Sequence, residues 1–227
     1  MKISCIICAF NEGPRIADVL AIAASHPLLD ELIVVNDGST DNTSNIATLF
    51  PSVRLISHPQ NRGKSEAVAT GLVAATHDLL MLLDADLKGL RTDNVTALAE
   101  PVLSGKSDVS MSLRGNSFLL YRALGIDFMS GERVIPKHLL RATLGEVATL
   151  SPFGLETQMN KRIVAEGFSI AVVPWMNVNH ARKAEKRGRW RGLCGECRML
   201  ADIVAVTPPL ALALQSLRMR SRRIEPA

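Results

Sequence analysis

Long apolar runs and a secretion signal are both missing from this sequence of 227 residues. A membrane-spanning helix needs about 18 uninterrupted apolar residues. The best candidate, residues 201–214, is shorter and contains Pro208 and Pro209. Residues 1–10 lack the basic stretch, apolar core and small-residue cleavage site of a signal peptide. We therefore expect a cytoplasmic protein rather than a secreted or membrane-spanning one.

Aromatic residues are also scarce, at 4% of the chain, and Trp190 is the only one beyond residue 181. That last stretch is strongly basic, with 11 Lys and Arg against four Asp and Glu, whereas the preceding residues carry 15 against 18. Because it has no recognisable binding module and a single aromatic residue, a nucleic-acid partner is not expected. Basic residues beside apolar helical sequence are typical of a peripheral membrane contact, of a site for an anionic partner or of a solvated helix, and these interpretations stay open.

Cysteine is limited to two Cys-x-x-Cys pairs, Cys5/Cys8 and Cys194/Cys197. This spacing is found in zinc sites. Cys5 and Cys8, however, lie in an apolar stretch that predicts a strand, where residues three apart point to opposite faces. We therefore expect these two thiols not to share a metal. A disulfide is not expected in a reducing cytosol.

Apolar strands and helices alternate through the first half of the chain. Short links between them indicate right-handed crossovers and a mostly parallel sheet flanked by helices, a Rossmann-like α/β fold. The predicted strands are residues 2–8, 31–35, 53–57, 78–83, 107–113 and 168–173. The predicted helices are residues 12–24, 41–49, 64–75, 118–128, 151–166, 193–206 and 210–220, with another beginning near Pro136 after a loop at residues 130–133.

The apolar stretch at residues 78–83 ends in two acids, Asp84 and Asp86. Residues two apart in an extended chain point to the same side, and parallel sheets bind ligands at the carboxyl ends of their strands. Two carboxylates held this close repel each other unless a cation lies beside them. Mg²⁺ or Mn²⁺ carrying a diphosphate is the cation expected here, because these metals take oxygen ligands and leave positions for phosphate.

Other predicted strand ends carry polar residues that fit a nucleotide. Asp37 accepts hydrogen bonds only, which suits the imide N–H of uracil or a guanine edge, and Gly38 permits close backbone approach. The residues from Asn61 to Ser65 open a predicted helix whose free N–H groups, with Arg62 and Lys64, would bind a diphosphate. Each feature alone would suit an ordinary turn or helix start.

The sequences AFNE, VVNDGSTDNT, NRGKSEAVATG and LLMLLDADL occur in an order and at spacings that resemble the nucleotide-binding half of family 2 glycosyltransferases with the GT-A fold. The resemblance covers roughly residues 1–115. It implies nucleoside contacts by Phe10, Glu12 and Asp37. It also implies that Lys64 lies near the base or phosphate, that Asp84 reaches the ribose or sugar, and that Asp86 binds the divalent metal.

The second half departs from the commonest family pattern. Inverting members that glycosylate hydroxyls usually carry a Glu-Asp pair whose aspartate is the base, whereas this chain has Glu156-Thr157. A base is needed for a hydroxyl acceptor, but not for an anionic acceptor such as a phosphate, nor in a retaining mechanism. Both exceptions match relatives: polyprenyl-phosphate hexosyltransferases, and synthases that glycosylate 3-phosphoglycerate. Arg133, in the predicted loop near the acceptor, would clamp a phosphate or be a surface arginine.

The candidate catalytic set is therefore Asp84, Asp86, Glu156 and Arg133. His180 follows the last predicted strand, where related transferases place a metal ligand that acts with Asp86, and imidazole suits Mn²⁺. A lone histidine at this position would equally be structural. The basic run at residues 182–188 would close over the diphosphate or form a solvated face.

These features predict a transferase domain of residues 1–180, divided into a nucleotide-sugar-binding half, 1–115, and an acceptor half, 116–180. A basic helical segment, residues 181–227, would follow as an appendage and would make any peripheral contact with the inner membrane face. The predicted reaction is metal-dependent transfer of a hexose from a UDP- or GDP-sugar to a phosphate-bearing acceptor, with polyprenyl phosphate favoured. A soluble phosphorylated acceptor such as 3-phosphoglycerate and a non-catalytic sugar-nucleotide-binding protein are the alternatives. A dinucleotide-dependent oxidoreductase is disfavoured, because no Gly-x-Gly-x-x-Gly follows the first strand.

Overall fold

The computed structural model of the chain describes residues 1–117, 119–141, 154–180 and 209–224. The strands in these ranges are β1 Ile3–Ala9, β2 Glu31–Asn36, β3 Val53–Ser57, β4 Leu79–Asp84, β5 Leu87–Lys88, β6 Val109–Arg114, β7 Arg133–Pro136, β8 Ile170–Trp175, β9 Asn179–His180 and β10 Arg223–Ile224. The helices are α1 Gly13–Ala23, α2 Thr43–Ala47, α3 Lys64–Ala74, α4 Thr92–Leu103, α5 Leu119–Leu124, α6 Lys137–Arg141, α7 Gly154–Ala165 and α8 Pro209–Ser221.

Eight strands form one sheet in the order β10-β8-β6-β7-β4-β1-β2-β3. β1 lies parallel between β2 and β4, with Ala9 opposite Asn36 and Cys8 opposite Asp84. The other neighbours are also parallel, except that β7 is antiparallel to both β4 and β6. The predicted mostly parallel sheet flanked by helices is therefore confirmed. Because β1, β2 and β4 end in register, the residues that follow them meet at one edge of the sheet.

Alternation along the strands gives the sheet two apolar faces. In β1, Ile3, Cys5 and Ile7 pack with helices α1 and α4 on one face, whereas Ile6 packs with α3 on the other. Cys8 lies on the same face as Ile6, so Cys5 and Cys8 point to opposite faces, as predicted. Helices cover both faces, which is why β1 and β4 consist of almost unbroken apolar residues.

The structure corrects the prediction of a loop at residues 130–133, because Arg133 begins strand β7. This strand is inserted between β4 and β6, with Leu82 opposite Arg133. Val134 and Ile135 are fully buried in it. A strand with only two apolar residues shows no period of its own, and its pairing with distant strands is not local information.

The basic helical appendage predicted for residues 181–227 is not confirmed. In its described part, residues 209–224, Gln215 Nε2 donates a hydrogen bond to a backbone oxygen of α7 at 3.0 Å, and Met219 is fully buried. β10 then pairs with β8 as an edge strand of the main sheet. This end of the chain is therefore integrated in the domain.

Several predictions fall outside the described residues: the helix at 193–206, the pair Cys194/Cys197 and the basic run at 182–188. Among the helices of the described ranges, none is both long and apolar enough to cross a bilayer.

Candidate active site

An open cavity of about 350 Å³ lies at the carboxyl ends of β1, β2 and β4. This volume is within the range of small-molecule sites. β9 brings a histidine to the cavity, because it pairs with β5 so that His180 opposes Leu87, the residue after Asp86. The predicted site residues that line the cavity are Phe10, Glu12, Asp37, Lys64, Asp84, Asp86 and His180.

Asp37 anchors the loop between β3 and α3. Its Oδ1 accepts hydrogen bonds from His58 Nδ1 at 2.7 Å and from Arg62 N at 2.9 Å, and its Oδ2 accepts one from Gly63 N at 2.8 Å. Gly63 has a φ of 92°, a conformation that favours glycine. The loop is thus folded around a carboxylate that still faces the cavity.

Phe10 and Glu12 form the wall of the cavity at the end of β1. Phe10 is 41% exposed, so its ring is available to stack against a base. Glu12 Oε2 accepts a hydrogen bond from Arg15 Nε at 2.5 Å. Between them, Asn11 Oδ1 accepts a hydrogen bond from Thr40 N at 2.8 Å, which joins the end of β1 to the loop after β2.

Lys64, the first residue of α3, lies between two carboxylates. Its Nζ is 2.8 Å from Asp84 Oδ1 and 3.1 Å from Glu156 Oε1. Burial lowers the pKa of Lys64, but the charges of Asp84 and Glu156 outweigh burial and raise this pKa above its ordinary value. Glu156 does not line the large cavity and is only 4% exposed, so the structure brings it to the site as an ion-pair partner of Lys64.

Gly131 packs directly against this ion pair. A Cβ atom at Gly131 would lie 2.7 Å from Asp84 Oδ2 and 2.8 Å from Lys64 Nζ. Such distances are too short for a side chain, so the absence of one at Gly131 allows Asp84 and Lys64 to meet.

His180 lies among three carboxylates. Its Nδ1 is 2.8 Å from Asp86 Oδ1, and its Nε2 is 3.1 Å from Glu132 Oε1 and 3.3 Å from Asp84 Oδ2. Burial lowers the pKa of His180, but the charge of Glu132 and the hydrogen bonds to Asp86 and Glu132 raise it to about 10. Ligand atoms of Asp84, Glu132 and His180 all lie within 4.8 Å of one another. Carboxylate oxygens with one imidazole nitrogen are a donor set that fits Mn²⁺ or Mg²⁺.

Sequence reasoning missed Glu132. Its side chain is fully buried, and its Oε2 accepts hydrogen bonds from Arg114 Nη1 at 2.5 Å and from Ser112 Oγ at 2.7 Å. Burial raises the pKa of Glu132, but the charges of Arg114 and His180 hold it well below its usual range. In the sequence, Glu132 follows Gly131 directly and lies two positions before Val134 and Ile135. This pattern would indicate a site residue only if β7 were already known to begin at Arg133.

The structure also corrects the role predicted for Arg133. Its side chain is fully buried. Its Nε and Nη2 donate hydrogen bonds to Ser130 O at 2.7 Å and Phe128 O at 2.8 Å, and its Nη1 donates one to Asn160 Oδ1 at 2.6 Å. Neither a surface arginine nor a phosphate clamp fits this position, because all three guanidinium nitrogens hold the preceding loop and α7.

We expect Arg133→Met to lower the free energy of unfolding by about 3 kcal/mol, because it leaves buried acceptors without their charged donor. The matched change Arg141→Met removes an exposed arginine at the end of α6 and should cost less than about 0.5 kcal/mol. Urea denaturation measures both. If Arg133→Met kept the free energy of unfolding of the unaltered protein and had a raised KM for the acceptor, Arg133 would bind the acceptor phosphate after all.

A parallel sheet with a polar cavity at its carboxyl edge defines an α/β protein of the ligand-binding type. Residues 4–119 match the glycosyl transferase family 2 profile. Since this match spans half of the sequence, the chain belongs to glycosyl transferase family 2, and the family resemblance of the sequence is confirmed.

Solved structures share the fold. Glucosyl-3-phosphoglycerate synthase from Mycobacterium tuberculosis, in complex with Mn²⁺, UDP and glucosyl-3-phosphoglycerate, is similar with a TM-score of 0.71 and 25% identity, over 90% of this chain and 79% of that one. The same enzyme with Mg²⁺ and UDP is similar with a TM-score of 0.69 over the same shares of both chains. This likeness confirms the GT-A type of fold.

Two curated relatives match shorter stretches. A dolichyl-phosphate β-glucosyltransferase of Trichomonas vaginalis is 31% identical over an alignment of 150 positions that covers 54% of this chain and 44% of that protein. A poly-β-1,6-N-acetyl-D-glucosamine synthase of Staphylococcus epidermidis is 34% identical over an alignment of 88 positions that covers 37% of this chain and 21% of that protein. The chain thus spans less than half the length of these relatives.

Proposed function

We propose that this protein transfers a hexose from a UDP-sugar to a phosphate-bearing acceptor with the help of Mg²⁺ or Mn²⁺. The observation that carries the proposal is the composition of one cavity. Asp37 at the end of β2, Lys64 at the start of α3, Asp84 and Asp86 at the end of β4, and His180 on β9 all line it. Gly63 N donates a hydrogen bond to Asp37 Oδ2, and the next residue, Lys64, has its Nζ 2.8 Å from Asp84 Oδ1. One cavity thus offers an acceptor for a base, a cation for the phosphates and ligands for a metal, the three groups that a nucleotide sugar requires.

The metal would be held by Asp86 and His180, with Asp84 and Glu132 beside them. Ligand atoms of Asp84, Glu132 and His180 lie within 4.8 Å of one another, and Asp86 Oδ1 lies 2.8 Å from His180 Nδ1. This clustering supports a metal here, as does the Mn²⁺ or Mg²⁺ crystallised with UDP in the solved relatives. When bound, such a metal neutralises charge on the departing diphosphate. The chain's own residues orient the donor: Lys64 offers a cation to the phosphates, and Asp84 offers a carboxylate to the ribose or sugar.

Uracil is favoured over guanine because Asp37 has little accepting capacity left. A carboxylate offers about four lone pairs, and three are taken by His58, Arg62 and Gly63. One N–H can still be accepted, which matches the single imide N–H of uracil. Guanine presents two neighbouring donors on the same edge, and one of them would stay unpaired.

We expect UDP to bind at least about tenfold more tightly than GDP, the cost of one unpaired polar group. Isothermal titration with each diphosphate at the same Mn²⁺ concentration measures the ratio. Asp37→Asn should weaken UDP binding and bring the two affinities closer together, while the exposed control Asp18→Asn should leave the ratio unchanged. Equal affinities for UDP and GDP in the unaltered protein would contradict base recognition by Asp37.

A phosphate-bearing acceptor is supported by the surroundings of Glu156. The next residue, where a catalytic aspartate usually stands, is Thr157, and Glu156 itself is paired with Lys64. An acceptor that is already ionised needs no proton removed. A lipid phosphate is our first choice, in line with the dolichyl-phosphate relative and the basic C-terminal residues. The protein would then act in the cytoplasm, peripherally at the inner membrane face.

A soluble phosphorylated acceptor is the second candidate, favoured by the likeness to glucosyl-3-phosphoglycerate synthase over most of both chains. Radiolabelled UDP-hexoses incubated with Mn²⁺ and either polyprenyl phosphate in detergent or 3-phosphoglycerate separate the two candidates. Label extracted into organic solvent supports the lipid acceptor, and label kept on a charged aqueous product supports the soluble one. UDP binding without transfer or hydrolysis would indicate a non-catalytic binder.

A further inference from the structure

His58 is a buried histidine behind the wall of the cavity, and it follows β3 directly. It is 9% exposed and is not among the residues that line the cavity. Its backbone N donates a hydrogen bond to Asn36 O at 2.9 Å, and its Nε2 lies 2.9 Å from Thr70 Oγ1 on α3. The ring is thus held between the end of β2 and the middle of α3.

The ring also determines how Asp37 is presented. His58 Nδ1 lies 2.7 Å from Asp37 Oδ1, and because a carboxylate only accepts hydrogen bonds, Nδ1 must carry the hydrogen. With the two backbone donors Arg62 N and Gly63 N, this contact fixes both oxygens of the carboxylate. Without His58, Arg62 N would still hold Oδ1 and Gly63 N would still hold Oδ2, but the carboxylate would lose the donor that is itself held by Thr70 on α3.

The geometry points to His58 as a positioning residue that aims the remaining lone pair of Asp37 at one N–H of the nucleotide base. The inference rests on the proposed function, since it presupposes that Asp37 reads the base. His58 makes no contact with the reacting atoms, so it acts on the affinity for the nucleotide and on the choice of base. Its effect should therefore appear in KM for the sugar nucleotide, with kcat unchanged.

Two substitutions separate the hydrogen bond from the packing of the ring. In His58→Asn, the amide nitrogen can take the place of Nδ1 and keep the donor to Asp37. In His58→Leu, the site stays filled but the donor is lost. We expect His58→Leu to weaken UDP binding about tenfold, as loss of a hydrogen bond to a charged group does, while His58→Asn stays within about threefold of the unaltered protein.

Base reading is isolated by comparing UDP with N3-methyl-UDP, which has no imide N–H. The measured quantity is the ratio of the Kd for N3-methyl-UDP to the Kd for UDP, from isothermal titration with Mn²⁺. This ratio should be at least about ten for the unaltered protein and for His58→Asn, and below about three for His58→Leu. His26 provides the matched control, because it is also buried and its Nε2 lies 3.1 Å from Thr96 Oγ1, remote from the cavity. His26→Leu should lower the free energy of unfolding and leave the ratio of the two Kd values unchanged.

The outcomes distinguish this inference from the proposed function. A ratio near one in the unaltered protein overturns base reading by Asp37, and with it the role of His58. A ratio kept in His58→Leu overturns the role of His58 alone. If His58→Leu does not fold, ¹⁵N NMR of the unaltered protein decides, with the His58 signals assigned from His58→Asn. A protonated Nδ1 at neutral pH supports the inference, and a ring protonated only at Nε2 overturns it.

Discussion

Asp86→Ala should abolish the metal-dependent part of the stabilisation that UDP gives to this protein. A ligand at about one hundred times its Kd stabilises the folded state by about 2.7 kcal/mol, which raises Tm by about 5–10 °C for a chain of this length. Asp86 Oδ1 lies 2.8 Å from His180 Nδ1 at the cavity wall. Its removal takes away one of the two predicted metal ligands and the group that orients the other.

Thermal melts with UDP alone, with Mn²⁺ alone and with both measure this effect. UDP alone should raise the Tm of the unaltered protein and of Asp86→Ala equally, because the predicted base contacts, Phe10 and Asp37, are unchanged in the variant. The extra shift from Mn²⁺ should fall below about 1 °C in the variant. Asp18→Ala, an exposed acid on α1, should keep the full shift. If Asp86→Ala kept it too, the metal role assigned to Asp86 would be wrong.

Much of the cavity could be predicted because parallel strands obey simple rules. Apolar runs identify β1, β2 and β4, and the polar residues after them must meet at one edge. This reasoning, together with the family resemblance, brought Phe10, Asp37, Asp84 and Asp86 to one place, where the structure has them lining one cavity. Their individual roles stay predictions.

The structure of the predicted acceptor half could not be derived in the same way. It depends on β7, a four-residue strand that pairs with β4 and β6, and no local pattern reveals such long-range pairing. Once β7 is missed, Glu132 and Arg133 seem to be loop residues, and the buried carboxylate is overlooked in favour of the arginine beside it. In the structure, Arg133 instead holds the loop before β7, and it is Glu132 that faces the cavity residue His180.

Lys64 shows a second limit of sequence reasoning. Its place at the start of α3 predicted an anion site built from helix N–H groups and side-chain cations. In the structure, Lys64 reaches Asp84 and Glu156, and its contact with an anion stays a prediction. The pairing is electrostatic and involves residues from three separate elements, so the sequence gives no sign of it. It also explains why a glycine stands at position 131, where no turn requires one.

Gly131→Ala should therefore reduce transfer by at least about a hundredfold while leaving the fold intact. The added Cβ would meet Asp84 Oδ2 at 2.7 Å and Lys64 Nζ at 2.8 Å, so one or both must move. Both atoms are the ends of side chains that can turn aside, so the free energy of unfolding should change by less than about 1 kcal/mol. A displacement of about 1 Å in groups that position a substrate is enough for a hundredfold loss of rate.

Gly125→Ala is the control with the opposite pattern. Gly125 has a φ of 69°, and a Cβ there would clash with Arg223 Nη1 at the far edge of the sheet. This substitution should lower the free energy of unfolding by about 1–2 kcal/mol and leave the rate per folded molecule unchanged. Initial rates with UDP-hexose, normalised to the folded fraction from urea denaturation, compare the two variants. Normal turnover by Gly131→Ala would mean that transfer does not depend on the contact between Asp84 and Lys64, and that the glycine serves only the packing of the loop before β7.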